Sequence, residues 1–225
     1  MNPTDAFGLR TPGLLRLAGL LILLMALTGC SAIGKQPVAD SAEDGNIIVS
    51  LHDYPLSEEK NSAFKQVKAH LITGKPPALV FRVISDLPLT PTWFSHLQGI
   101  ETLEVYSPRS FLTRATLNSP WPFTDRDIIS CITTEFGADQ IIIRLKDCHT
   151  EYPQQDNTLR ITASDSRWII SDLGDQTRID YEAWTDPGGN VPAFFYNALL
   201  TETTQESLSK LKQLLEIKSL ADYSY

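Results

Sequence analysis

Beyond residue 45, apolar and polar side chains alternate in short segments set apart by turn-forming residues, a pattern that predicts strands. NIIVSLHDYP and AFKQVKAHLIT read as two early strands. KPPALVFRVISDL then opens with Pro76 and Pro77, carries Leu79, Val80, Val83 and Leu87 on one helical face, and stops at Pro88. TPTWFSHL predicts a short helix, and strands follow at IETLEVYS, SFLTRATLN, RDIISCITTEF, QIIIRLKDC, SRWIISDL and TRIDYEAWT. In the last of these Arg178, Asp180 and Glu182 share one side, with Ile179, Tyr181 and Ala183 on the other. DPGGNVP interrupts the chain; Asn190 is placed to cap, and Pro192 to enter, a long helix running to about Lys218. Phe194, Phe195, Ala198, Leu199, Leu208, Leu211 and Leu215 form its apolar stripe. A stripe of this kind has to be buried, so the pattern predicts an α+β fold. Roughly seven antiparallel strands curve into a sheet, with a helical insertion after the second and the long C-terminal helix across the mouth, leaving room for a cavity.

The first residues follow a different logic. Arg10 and Arg16 precede the apolar run LAGLLILLMALTG, which ends at Cys30 and falls short of the about 20 residues a membrane-spanning helix needs. A short apolar run behind positive charges reads as a secretory signal. Its end, Leu27-Thr28-Gly29-Cys30, resembles a bacterial lipobox, which implies removal of residues 1–29 and acylation of Cys30 as the new N-terminus. Ser31 in place of Asp after the cysteine implies an address at the periplasmic side of the outer membrane, as in enteric-type bacteria. The alternative is an ordinary signal peptide that happens to hold a cysteine. Residues 30–45 are small and polar and read as a flexible tether, with the folded domain at 46–218. Two or more acyl chains would hold such a protein on its membrane.

Without the leader, about 195 residues remain, enough for one domain with its own core. The leader holds Arg10 and Arg16 against Asp5, so its loss takes the formal charge from −8 to −9. An acidic domain is a poor partner for nucleic acid or an anionic lipid face, so membrane attachment falls to the anchor.

Two cysteines are left, Cys131 and Cys148. RDIISCITTEF and QIIIRLKDC flank Gly137-Ala138-Asp139 and predict a hairpin with Cys131 opposite Cys148, Thr133 opposite Lys146 and Glu135 opposite Arg144. Thr134 and Leu145, and Phe136 and Ile143, would then pair on the other face beside Ile132. In an oxidising periplasm Cys131 and Cys148 predict a disulfide worth about 3 kcal/mol. The alternative is two free buried thiols.

PWPFTDRDII, followed by DPGGNVPAFFYNALL some way downstream, resembles the START family of lipid-transfer domains, related to the steroidogenic acute regulatory protein. The likeness rests on the proline-led strand entry from Pro120 to Arg126 and Asp127, on the turn Asp186-Pro187-Gly188-Gly189, and on Trp93 and Trp168. It implies a helix-grip fold: a curved antiparallel sheet around a hydrophobic tunnel, closed by the C-terminal helix and a loop. With strand parity, it places Ala115, Leu117, Ile132, Phe136, Ile170, Ile179, Tyr181, Phe194 and Ala198 on the tunnel wall. The gate falls at Gly188 and Gly189, which can absorb backbone rotation. Trp121 and Phe123 would cover the sheet edge, with Asp125, Arg126 and Asp127 facing water and neighbouring loops. Arg126 and Asp127 read as structural ahead of ligand contacts. Sterol-binding members often bury an acid and an arginine on the wall; Ala115 and Ile132 stand at those positions here, which implies a more uniformly apolar tunnel.

For chemistry, His52, His70, His96 and His149 are scattered and no element pairs two of them at ligand spacing, so no metal and no cofactor is expected. Gly-x-Ser-x-Gly and phosphate-loop motifs are missing. A polyketide cyclase of the same fold needs a poised acid or base, and Tyr181 is the one polar residue in the expected wall. The expectation is a monomeric, non-enzymatic carrier of one lipid or other hydrophobic molecule. A scaffold lipoprotein with a filled interior is the second reading, and a cyclase the third.

Overall fold

The structure, a computed structural model, describes residues 42–44 and 47–223. The signal segment, Cys30 and most of the expected tether lie outside the described residues. The expected alternation becomes strands β1 (Ala42–Asp44), β2 (Ile47–His52), β3 (Gln66–Thr73), β4 (Leu97–Ser107), β5 (Ser110–Leu117), β6 (Arg126–Phe136), β7 (Gln140–Asp147), β8 (Leu159–Ile161), β9 (Ser164–Asp172) and β10 (Thr177–Thr185). They form one sheet of ten strands in the order β1-β2-β3-β10-β9-β7-β6-β5-β4, with β8 alongside β6. Every neighbouring pair is antiparallel except β6–β8, which is parallel. β1 pairs with β2 inside the stretch read as tether, so the sheet starts earlier than the sequence pattern shows.

Two helices complete the fold. Helix α1 (Pro77–Ser85) begins at its prolines and buries Leu79, Val80, Val83 and Ile84. TPTWFSHL becomes a 3-10 turn at Thr90–Thr92 that delivers Trp93 into the core. Helix α2 (Ala193–Ile217) starts one residue after Pro192, which is itself the N-cap, so Asn190 does not cap it. Leu208, Leu211 and Leu215 of α2 are buried with Ile47, Val49, Val67, Ala69 and Leu71 of β2 and β3. At about 25 cal/mol per Å² of apolar surface removed from water, that half of the helix is where the sheet and α2 hold each other.

The β6–β7 hairpin is tighter than the sequence reading places it. Ile132 opposes Leu145, Thr134 opposes Ile143 and Phe136 opposes Ile141, a slip of two residues from the expected pairing. The turn closes at Gly137, whose N–H donates to the Gln140 carbonyl (2.8 Å). An even slip leaves every side chain on its expected face. Cys131 therefore opposes Lys146, and Cys148 lies just past the strand end, its N–H bonded to the Ile129 carbonyl (3.0 Å). The two cysteines are disulfide-bonded all the same, with Cα atoms 5.7 Å apart. Glu135 and Arg144 meet diagonally at 3.2 Å.

After Cys148 the chain leaves the sheet, because β7 has run out beyond Ser130 of β6. It returns as β8, which occupies the vacated edge beside Arg126, Asp127 and Ile128. This short parallel strand brings Arg160 level with Asp127.

Candidate functional site

The inner face of the sheet tapers. Along β9 and β10, inward-facing partners run Ile170–Ile179, Trp168–Tyr181, Ser166–Ala183 and Ser164–Thr185. At the isoleucine end the side chains meet the leucines of α2 in a filled core, where Ile170 and Ile179 are fully buried. At the other end the residues are too small to reach the helix, and a hollow opens. Its cavity volume is about 320 Å³, at the low end of the roughly 300–1,000 Å³ of small-molecule sites. Ala115, Ser130, Ile132 and Leu145 extend the same wall across β5, β6 and β7.

The roof and the mouth come from other elements. Phe195, Tyr196, Leu199 and Thr203 of α2 line the hollow, with Trp93 and Phe94 of the 3-10 segment. Two contacts fix the helix over it: the Ser95 N–H donates to Ser207 Oγ (2.9 Å), and the Lys65 N–H donates to Asn197 Oδ1 (2.9 Å). Around the mouth, Phe123 packs against Phe195 with ring centroids 5.7 Å apart. Pro120, Pro187 and Val191 complete the rim. Gly188 and Gly189 both take φ of +65°, the left-handed region where side chains are disfavoured, and a Cβ on Gly189 would also crowd Leu159 at 3.1 Å.

Of the residues expected on the wall, Ala115, Leu117, Ile132 and Tyr181 line the hollow. Ile170 and Ile179 share their inward parity but sit in the filled core, because α2 presses its leucines onto that end. Phe136 stands at the far end of the hairpin, 47% exposed, against Phe81 and beneath the Arg109 guanidinium. Phe194, 79% exposed, and Ala198 lie on the outer side of α2, away from the wall. Gly188 and Gly189 form the rim loop but do not themselves line the hollow. The sequence reading missed Ser130, Ser164, Ser166, Phe195 and Tyr196. The two-residue period that puts Ile170 inward also places Trp168, Ser166 and Ser164 on its face, so the taper is legible in the sequence. These hydroxyls make the wall less uniformly apolar than expected.

The strand entry also differs. Trp121 covers nothing and is 92% exposed. Arg126 and Asp127, expected to face water, are buried. Asp127 accepts from Arg160 through both oxygens (Nε to Oδ1 2.9 Å, Nη2 to Oδ2 2.7 Å) and from Arg114 Nε (3.2 Å). Burial alone would raise its carboxyl, but hydrogen bonds and charge from Arg160, then Arg114, outweigh this and hold it below the usual carboxylate range. Arg160 also donates to the carbonyls of His149, Tyr152 and Pro153, which ties the excursion before β8 to the sheet.

Tyr181 stacks on Trp168 at 4.2 Å. Burial drives its phenol well above its ordinary value, and that of Tyr196 up to about 12. Both stay protonated near neutrality, which removes them as bases. Among the described residues, no three His, Cys, Asp or Glu side chains group as metal ligands.

The architecture has solved counterparts. A STAR-related lipid transfer protein from Xanthomonas axonopodis superposes with a TM-score of 0.69 at 20% identity, over 79% of this chain and 98% of that one. Human STARD10 gives 0.67 at 16% identity, over 79% and 72%. Human StAR-related lipid transfer protein 5 gives 0.67 at 15%, over 78% and 84%. The chain thus has the START-like helix-grip fold. In sequence it is 24% identical to an uncharacterised protein of Pseudomonas aeruginosa, over 91% of this chain and 98% of the relative. No protein-family model matches it.

Proposed function

We propose that the protein binds a single lipid or other hydrophobic molecule in the hollow, from an acylated Cys30 that tethers it to the periplasmic side of the outer membrane. One observation carries the binding reading: the hollow stays open where β9 and β10 offer Ser164, Ser166 and Ala183 instead of large side chains. A scaffold with this fold would gain stability by filling that space, since unfilled volume costs packing energy. The solved counterparts that bear lipid-transfer names support the same reading.

A shielded site answers a physical need. Moving a 16-carbon chain from membrane to water costs about 13 kcal/mol, at about 0.8 kcal/mol per methylene. A wall of isoleucine, leucine, phenylalanine and tryptophan supplies a second apolar medium and lowers that cost. The rim loop at Asp186–Asn190 and the first turns of α2 form the gate of this proposal. The tether keeps the gate near the bilayer for loading, unloading or sensing.

Native mass spectrometry of gently purified protein tests the proposal. A single bound molecule of lipid mass is the expected result. Protein that stays free of ligand after purification and after exposure to a membrane lipid extract would refute it and return the fold to a scaffold role.

A further inference from the structure

We propose that Arg126 receives the acid group of a single-chain amphiphile whose apolar chain lies in the hollow; this rests on the binding reading above. Two arginines are buried at this end of the sheet, and they differ in their partners. Arg160 has the Asp127 carboxylate in a two-pronged ion pair. Arg126, equally buried, has no carboxylate within ion-pair distance among the described residues. Its bonds go to neutral oxygens: Nε donates to the Pro187 carbonyl (3.3 Å), and Nη1 to Ser119 Oγ (3.0 Å) and the Thr124 carbonyl.

The nearest acids are committed elsewhere. Asp125 accepts from the Ser119 N–H (2.9 Å) and from Gln98 Nε2 (3.0 Å). Asp186 accepts from the Gly188 N–H (2.9 Å). Among the described residues nothing bonds Nη2 of Arg126, which faces the Gly188–Gly189 turn; a Cβ on Gly189 would come within 3.9 Å of it. Arg126 lines the hollow and lies over the Phe123 ring at 5.8 Å. The guanidinium therefore stands at the mouth, between the apolar interior and the gate loop.

Burial holds the Arg126 guanidinium below its usual range, and Asp125 offsets this only in part, from beyond ion-pair distance. A buried cation without a direct partner is costly, and tying two loops together does not require a charge, because neutral donors bond carbonyls as well. An oxyanion arriving at Nη2 supplies the missing partner, in the planar geometry arginine offers to carboxylate and phosphate. The mouth favours an anion in a second way. The loop that Arg126 holds leads into the N-terminus of α2, whose first turn has no acidic residue and no side-chain cap. Cavity size sets the rest of the ligand: about 320 Å³ suits one chain, not the two of a diacyl phospholipid.

The test uses the full-length protein stripped of lipid, with carboxyl-labelled myristate as the probe. Bound to the wild type, the carboxyl signal should titrate below the ordinary carboxylic acid range, since a neighbouring guanidinium favours the ionised form. Arg126→Gln should weaken myristate binding about tenfold or more, as loss of a charged hydrogen bond does, and leave methyl myristate unchanged. Tetradecyl phosphate binding more tightly than myristate would assign the head group to a phosphate monoester on the same guanidinium. A bound carboxyl that titrates above the ordinary range would overturn this inference and leave the binding reading standing, whether or not Arg126→Gln folds. Failure of both myristate and its methyl ester to bind would overturn the two together.

Discussion

Asp127→Asn is the sharpest test of how the strand entry is held. The substitution keeps the side-chain volume and one oxygen, and removes the charge. Arg114 retains Glu101 at 3.1 Å and keeps part of its side chain in water, so it loses little. Arg160 is 6% exposed and Asp127 is fully buried, so the variant strands a guanidinium in the interior. Breaking a buried ion pair from one side costs about 3–5 kcal/mol. In a domain of this size each kcal/mol moves Tm by about 2–4 °C, so the expected fall is about 6–20 °C. Thermal unfolding followed by circular dichroism reads that fall, and urea denaturation reads the free energy, with the midpoint shifted and the slope unchanged. Replacing both partners, as in Asp127→Leu with Arg160→Met, should cost less than the single change, because no charge is left alone. The pH dependence has a definite sign. The folded Asp127 carboxyl is depressed, so its contribution is complete above the unfolded value of about 3.9 and is lost as pH falls through the lower folded value. The gap between wild type and Asp127→Asn should then be full at neutral pH and close in strong acid. A variant within about 0.5 kcal/mol of wild type at neutral pH would refute the reasoning, since surface-like changes fall in that range.

Three further outcomes are expected. Ser166→Phe should fill the hollow and abolish bound ligand in native mass spectrometry, while leaving the urea midpoint near that of wild type. Cys131→Ala with Cys148→Ala should cost about 3 kcal/mol of unfolding free energy, the loop-closure value for this separation, read in the same urea assay. Cys30→Ser should remove the acyl groups and move the protein from the membrane to the soluble fraction; unchanged membrane association would sink the tether proposal.

How much the sequence disclosed varies with the range of the interaction. Alternation in TRIDYEAWT and RDIISCITTEF fixes which face is inward, because a side chain's side of a strand is a local property. Pairing register is not local: it depends on how tightly Gly137–Gln140 closes, and here the reading slipped by two residues. β8 was invisible, with three residues and no alternation to speak of, so Arg160 could not be linked to Asp127 across 33 positions. The apolar stripe of α2 was read as one surface. Leu208, Leu211 and Leu215 are buried, but Phe194 and Ala198 are exposed, because at the first turns of α2 the face toward the sheet is carried by Phe195 and Leu199 and the other two turn outward. Arg126 was read as a surface charge because sequence shows a residue's polarity and not what stands around it.

The two halves of α2 answer to different demands. The leucine half is a clasp that keeps the domain folded, and the phenylalanine half is a cover that lines the hollow and meets the mouth through Phe195 on Phe123. If the hollow binds as proposed, exchanges at Leu199 and Thr203 should retune which molecule fits while the clasp stays shut, so descendants of this chain could change specificity without first becoming sturdier.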